Sequence, residues 1–120
     1  MSTLSELIPS GGTGKVMDFV ASGSLPSGKT VVLKADGKVE LVTASNLTTG
    51  NFVGITTETI SDTATGSVTL QGGLSTNQAG LTIGSTYYVQ TNGTLATTAG
   101  VPSVIAGLAI SATSLQLQGV

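Results

Sequence analysis

The sequence predicts an all-β domain, a small barrel or sandwich built from an internal duplication, with an extended N-terminal arm. Three observations carry that expectation. Short runs rich in Val, Thr, Ile and Tyr recur along the chain, separated by Gly, Asn, Asp and Ser. A stretch of the first half returns in the second half without gaps. No segment after Lys15 holds an apolar pattern of helical period longer than a single turn, near Ala44 to Leu47.

Taken in order, residues 1–14 read as the arm. Pro9, Ser10, Gly11, Gly12 and Gly14 are too dense in Gly and Pro for a regular element. The arm's apolar cluster, Leu4, Leu7 and Ile8, has the spacing of one helical turn face and is a candidate for ordering against a neighbour. Residues 15–120 read as a single β domain with repeat halves at about 23–73 and 79–120. Strands are expected within Lys15 to Ser22, Lys29 to Lys34, Lys38 to Thr43, Asn51 to Thr57, Ser67 to Gln71, Thr86 to Gln90, Thr94 to Thr97, Val104 to Ser111 and Ser114 to Gln118. A length of 120 residues fits one domain with a real core.

The repeat is the most informative pattern. LPSGKTVVLKADGKVEL (Leu25 to Leu41) aligns at an offset of 56 with LTIGSTYYVQTNGTLAT (Leu81 to Thr97). Gly28 then matches Gly84, Thr30 matches Thr86, and Gly37 matches Gly93. NFVGIT (Asn51 to Thr56) resembles VIAGLA (Val104 to Ala109), and SVTLQG (Ser67 to Gly72) resembles SLQLQG (Ser114 to Gly119). The order is the same in both halves, which points to duplication. Each half alone is too small to bury its own apolar face.

Hairpin register follows from sorting side chains by face. A two-residue turn at Asp36 and Gly37 would set Leu33 against Glu40 and Lys34 against Val39. A three-residue loop, Ala35 to Gly37, with Gly37 left-handed in a bulge, pairs Leu33 with Val39 and Val31 with Leu41. The same choice pairs Val89 with Leu95 and Tyr88 with Ala96. Its price is Lys34 opposite Lys38, which Asp36 partly offsets. Glu40 then faces outward. Tyr87 turns to the core and Tyr88 to the other face, where it is a candidate for an interface or ligand contact, or for cross-strand packing.

Composition excludes much chemistry. Without cysteine or histidine, there is no Ser/His/Asp or Cys/His nucleophile, no thiolate or imidazole metal site and no disulfide. Charged residues are 8% of the chain, against about 25% in ordinary soluble domains. The net charge is -2, and the four lysines are interleaved with acids. That argues against a nucleic-acid partner, which needs clustered basic residues and stacking aromatics. All the charges lie between Glu6 and Asp62, and residues 63–120 carry none. A charge-free half is either a neutral polar surface or one covered by other subunits, where desolvating charges would be costly. No basic region precedes an apolar stretch at the start, and no apolar run approaches the ~20 residues of a spanning helix. Neither secretion signal nor membrane partner is expected.

Some motifs look chemical. GSLPSGKT, Gly23 to Thr30, fits G-x-x-x-x-G-K-[ST] letter for letter. A phosphate loop needs a helix N-terminus after it, whereas Val31, Val32 and Leu33 read as strand, and the repeat copy has Ser85 in place of the lysine. No nucleotide is expected. Asp36 reads as a turn residue, and Glu58 and Asp62 as loop residues, without the pairing a carbohydrate hydrolase needs or calcium-loop spacing. The sequons at Asn46 and Asn92 are commonplace in a Ser/Thr-rich chain, and Asn92 is explained by its turn.

The runs FVASGSLPSGKTVVLKADGKVELV, FVGITTETI, GLTIGSTYYVQTNGTLATT and AGLAISATSLQLQ together resemble small duplicated β-modules in virion proteins of tailed bacteriophages. Such modules occur as head decoration (cement) proteins and within tail-fibre proteins. The resemblance covers about residues 16–118 through turn-and-strand features. It implies a capsid decoration protein, a homotrimer that binds the outer surface of the major capsid protein shell and reinforces it. The alternative it implies is a tail-fibre or tail-appendage adhesin binding a host-surface glycan. Either way it implies a virion location and no enzyme, catalytic residue, cofactor or metal. The interface candidates at this stage are Leu4, Leu7, Ile8 and Tyr88.

Overall fold

The computed structural model describes residues 15–118 other than Thr49 and Val101. The arm, with Leu4, Leu7 and Ile8, lies outside the described residues. The strands are β1 (Val16–Val20), β2 (Thr30–Leu33), β3 (Val39–Leu41), β4 (Phe52–Thr56), β5 (Thr65–Leu70), β6 (Leu74–Ser75), β7 (Thr86–Val89), β8 (Leu95–Ala96), β9 (Ile105–Ala109) and β10 (Leu115–Leu117). Each of the nine expected segments holds a strand. The short β6 was not foreseen, and β5 begins at Thr65 rather than Ser67. The turn near Ala44 is present as two bonds from Asn46 and Leu47 N–H to the Thr43 carbonyl, each 3.3 Å.

The strands form two antiparallel five-stranded sheets, ordered β1-β5-β4-β2-β3 and β6-β10-β9-β7-β8. Replacing every strand of the first sheet by the one five places later gives the second. The registers repeat as well. Val31 pairs with Gly54 and Gly54 with Leu70, while Tyr87 pairs with Gly107 and Gly107 with Leu117. A register shift falls between Val31 and Val32 in one sheet and between Tyr87 and Tyr88 in the other.

Both hairpins take the bulged register. Leu33 pairs with Val39 and Val31 with Leu41, Val89 with Leu95 and Tyr88 with Ala96. Gly37 and Gly93 supply the positive φ this loop needs, 87° and 84°. Lys34 opposite Lys38 is relieved on one side, because the Lys34 ammonium donates to the Ser22 hydroxyl at 3.0 Å.

Neither sheet closes through a continuous ladder. In the first, one parallel bridge, Ala21 to Val39, draws the two edges together, with the Ser22 N–H donating to the Val39 carbonyl at 2.8 Å. The concave face of this sheet buries Val31, Val39 and Val68 with Ala21, Leu25 and Ile60 in a core of its own. Ile60 arrives there on the loop 57–64, which is tied to Leu25 by two reciprocal backbone bonds of 2.8 Å.

A second, larger core lies between the sheets. Val32, Phe52 and Ile55 come from the first sheet, and Tyr87, Val89, Ala106, Ala109, Leu115 and Leu117 from the second. Thr30 is buried with them, its hydroxyl donating to the Gly93 carbonyl at 2.9 Å. Fully burying each of the Val, Ile, Leu and Phe side chains among them stabilises the fold by about 1.5–3 kcal/mol. One expectation needs correcting here. Glu40 does turn away from Val31 and Leu41, but the face it shares with Val32 is the face that meets the second sheet. Glu40 is half-buried at its margin, where it accepts a bond from the Asn46 amide at 2.9 Å.

Candidate functional site

The alternation of side chains along a strand gives each sheet two faces, and here the two halves part company. In the first sheet, the face bearing Thr30, Val32, Phe52, Ile55 and Thr69 is covered by the second, leaving these residues 0–6% exposed. By the repeated registers, the corresponding residues of the second sheet are Thr86, Tyr88, Ile105, Leu108 and Gln116. Nothing among the described residues covers them. Ile105 is 40% and Leu108 44% exposed, Thr86 and Gln116 are exposed, and Tyr88 is half-buried.

Cross-strand pairing makes these residues one surface. Tyr88 stands opposite both Ile105 and Ala96, and Leu108 stands opposite both Thr86 and Gln116. Leu74 on β6 pairs with Gln116 and completes the margin. Ile110, 50% exposed, follows directly at the end of β9. An apolar strip on an open sheet face, drawn from a half with no charged residue, is the composition of an interface centre. Of the other exposed apolar residues, Val16 and Met17 lie on β1, Leu33 lies on β2, and Ile83, 69% exposed, lies in the connection before β7.

Two clefts of about 210 Å³ indent the body away from the centre of this face. One lies between the halves and is lined by Lys29, Thr30, Gln78, Tyr87 and Thr94 among others. Its polar groups are largely engaged: the Gln78 amide donates to the Gly28 carbonyl at 3.1 Å, and the Tyr87 hydroxyl accepts the Thr82 N–H at 2.9 Å. The other lies between Val16, Thr69 and Leu74, where the first strand meets β6. No buried side-chain polar atom among the described residues lacks a partner, so no orphaned group marks either cleft as a site.

The Gly23 to Thr30 segment is a strand connection leading into β2, with no helix after it. Its N–H groups are directed inward or at side chains: Gly23 to Asp62 Oδ1 at 2.7 Å, Gly28 to the Thr56 carbonyl at 3.0 Å and Lys29 to the Thr56 hydroxyl at 3.0 Å. That is not the converging set of donors that surrounds a phosphate. The carboxylates are likewise dispersed into local bonds. Asp36 Oδ1 accepts the Lys38 N–H at 3.0 Å, and Glu58 Oε2 accepts the Ser67 N–H at 3.1 Å. The Lys38 N–H bond, with smaller contributions from the Lys34 and Lys38 charges, holds the Asp36 carboxyl below its ordinary value. Among the described residues no group of acidic side chains is gathered to hold a metal ion. Asn92 serves its turn as expected, accepting the Thr94 N–H at 3.2 Å and hydroxyl at 2.7 Å.

Of the four residues singled out from sequence, Tyr88 lies within the open face. Ile105, Leu108 and Ile110 were missed. Their signal was legible only in part: all three are apolar residues in a half without charges, but Ile105 and Leu108 are three positions apart and share the face of Tyr88 only through the register shift between Tyr87 and Tyr88. In comparisons with known proteins, no family model and no curated protein matched the chain.

Proposed function

We propose that this protein is a bacteriophage virion structural protein, a capsid decoration or cement protein. It binds the outer surface of the major capsid protein shell as a homotrimer and reinforces it. The observation that carries this reading is the uncharged apolar face of the second sheet, presented by a body whose two sheets share a core. A cement protein needs such a face, because it holds neighbouring subunits through many modest contacts whose strength comes from multivalency. The resemblance of the turn-and-strand runs to phage head modules supports the same reading. The matching strand order and registers of the two halves support an internal duplication as the origin of the fold.

Mechanically, Ile105 and Leu108 are the centre of the contact, with Tyr88 as its aromatic anchor, the residue class that dominates interface energetics. A carboxylate placed there would be desolvated without a partner. Leu108→Asp is therefore expected to weaken binding to empty capsids at least tenfold, equivalent to about 1.4 kcal/mol, while leaving the isolated protein folded. Binding to capsids unchanged by Leu108→Asp overturns the assignment of this face. Labelling of purified particles tests the location: copies spread over the head support the cement reading. Copies confined to the tail favour the adhesin.

A further inference from the structure

The first sheet draws its two edges together, and among the described residues the second does not. On the edge strand β3, Val39 is bridged in parallel by Ala21, and its carbonyl accepts the Ser22 N–H at 2.8 Å. Leu95 is the counterpart on β8, standing opposite Val89 as Val39 stands opposite Leu33. At the offset of 56, the residues equivalent to Ala21 and Ser22 are Asn77 and Gln78, and they are tied elsewhere. Asn77 Nδ2 donates to the Ser27 hydroxyl and to the Thr56 carbonyl, each at 3.0 Å. The Gln78 N–H donates to the Thr113 carbonyl at 3.1 Å, and the Leu81 N–H to the Ala112 carbonyl at 3.0 Å. Bonds to the first half and to the loop 110–114 thus hold this segment off β8.

A cleft of about 210 Å³ stands where the bridge would be, lined by residues 78–81 and 93–95 together with Lys29 and Thr30 of the first half. Its buried side-chain polar atoms are all partnered, and what it leaves open is backbone. Val89 sends its N–H to the Val104 carbonyl at 2.8 Å, away from β8. In the antiparallel alternation Leu95 therefore directs its own N–H and carbonyl outward from the sheet. No strand lies on that side of β8, and among the described residues no loop bond reaches either group. Such an edge is a template for one more strand. Ala21 shows the form that strand takes in this fold: parallel, with a small, completely buried side chain at the bridge. Lys29 is the only charged residue of the lining, so an uncharged or acidic segment fits and a basic one is opposed.

We propose that the slot between residues 78–81 and β8 binds an extended, uncharged or acidic segment of a partner polypeptide. The segment adds to β8 as a parallel strand and supplies the bridge that Ala21 and Ser22 supply in the first half. This site uses the edge of the second sheet rather than its open face, and it does not rest on the function proposed above.

Two measurements on the isotope-labelled full chain test it. In the free protein the Leu95 amide should exchange with solvent faster than the Val39 amide by about a hundredfold or more. Equal protection overturns the proposal, because the edge is then already covered, by residues 1–14 if it persists on dilution and by a second copy if it does not. The blocked peptide FVASGS, residues 19–24, is the probe of the slot, since this sequence makes the bridge in the first half. At millimolar concentration it should give saturable amide shifts at residues 78–81 and 94–96 and slow the exchange of Leu95. No saturable shift overturns the proposal, as do shifts confined to Ile105 and Leu108, which assign the peptide to the open face. Leu95→Pro removes the outward N–H at an edge position where proline is tolerated, and should weaken the peptide by about tenfold or more. Ala79→Trp, which obstructs the slot from an exposed residue of its lining, carries the same expectation if the proline variant does not fold. Unchanged affinity in a variant with a native amide spectrum overturns the proposal.

Discussion

The two halves of this molecule have the same strand order and the same registers, yet among the described residues one has both faces of its sheet covered and the other has one. In the first half, loop 57–64 carries Ile60 onto the concave face, and the second sheet covers the opposite face. In the second half, the corresponding connection, residues 110–114, is three residues shorter, and its isoleucine, Ile110, points outward. Its concave face has no plug of its own and is filled instead by Val32, Phe52 and Ile55 of the first sheet. The pair is thus joined head to tail, sealed at the first end by a loop and, among the described residues, open at the second. A few residues of loop length decide which sheet face becomes core and which becomes surface.

Ile55 and Leu108 occupy the same register position in the two sheets, and comparing them is the hardest test of that account. Ile55 is completely buried and Leu108 is 44% exposed. Ile55→Ala is expected to lower the unfolding free energy by about 2–5 kcal/mol, the range for truncating a core aliphatic side chain. Leu108→Ala should change it by no more than about 0.5 kcal/mol, as exposed substitutions do. Urea denaturation of the two variants measures both. Equal losses would mean that the second face is as deeply packed as the first, and the asymmetry would be wrong.

Gly54 and Gly107 test the opposite property, what the halves hold in common. A Cβ at Gly54 would run into the Thr69 carbonyl, and one at Gly107 into the Gln116 carbonyl, each on the neighbouring strand. Backbone cannot yield as a flexible side chain can, so Gly54→Ala and Gly107→Ala should each destabilise by about 1–3 kcal/mol or more. The two losses should agree within about 0.5 kcal/mol if the close approach is equivalent. A large loss at one site alone, read by thermal or urea unfolding, would show that the repeated register is not repeated in its packing.

Much of this was legible in the sequence, and the reason is local. Leu33, Val39, Val89 and Leu95 sort onto common faces only in the bulged register, and Gly37 and Gly93 permit it, so both hairpins could be read from adjacent residues. Pairing between distant strands could not. That β1 joins β5 rather than β2 depends on contacts some fifty residues apart, and no residue type encodes such a partner. The two-residue β6 was hidden because Gly72, Gly73, Ser75 and Thr76 read as turn. The open face was half legible. Tyr88 drew notice as the outward member of a tyrosine pair, but Val31 and Val32 are both apolar and both buried. Alternation alone therefore does not tell a second core from an exposed strip. Loop length was the missing term.

The smallest contrast lies in the two hairpin turns, where Asp36 and Asn92 fill the same position. Each side-chain oxygen accepts the N–H two residues on, from Lys38 and Thr94 respectively. Only the aspartate titrates. Its folded pKa lies below the ordinary carboxylate value, chiefly through the Lys38 N–H bond and secondarily through the lysine charges. A depressed carboxylate stabilises the fold above its unfolded pKa, and that contribution is lost as pH falls through the folded value. On acidification the Lys38 amide resonance should therefore titrate with a midpoint below 3.8, while the Thr94 amide stays flat. Asp36→Asn should convert the first turn to the behaviour of the second, removing the Lys38 titration and keeping the loop, because Asn92 already holds the same geometry without charge. A midpoint at or above the ordinary aspartate value would show that the hydrogen bond does not favour the ionised form, and the electrostatic difference between the two turns would vanish with it.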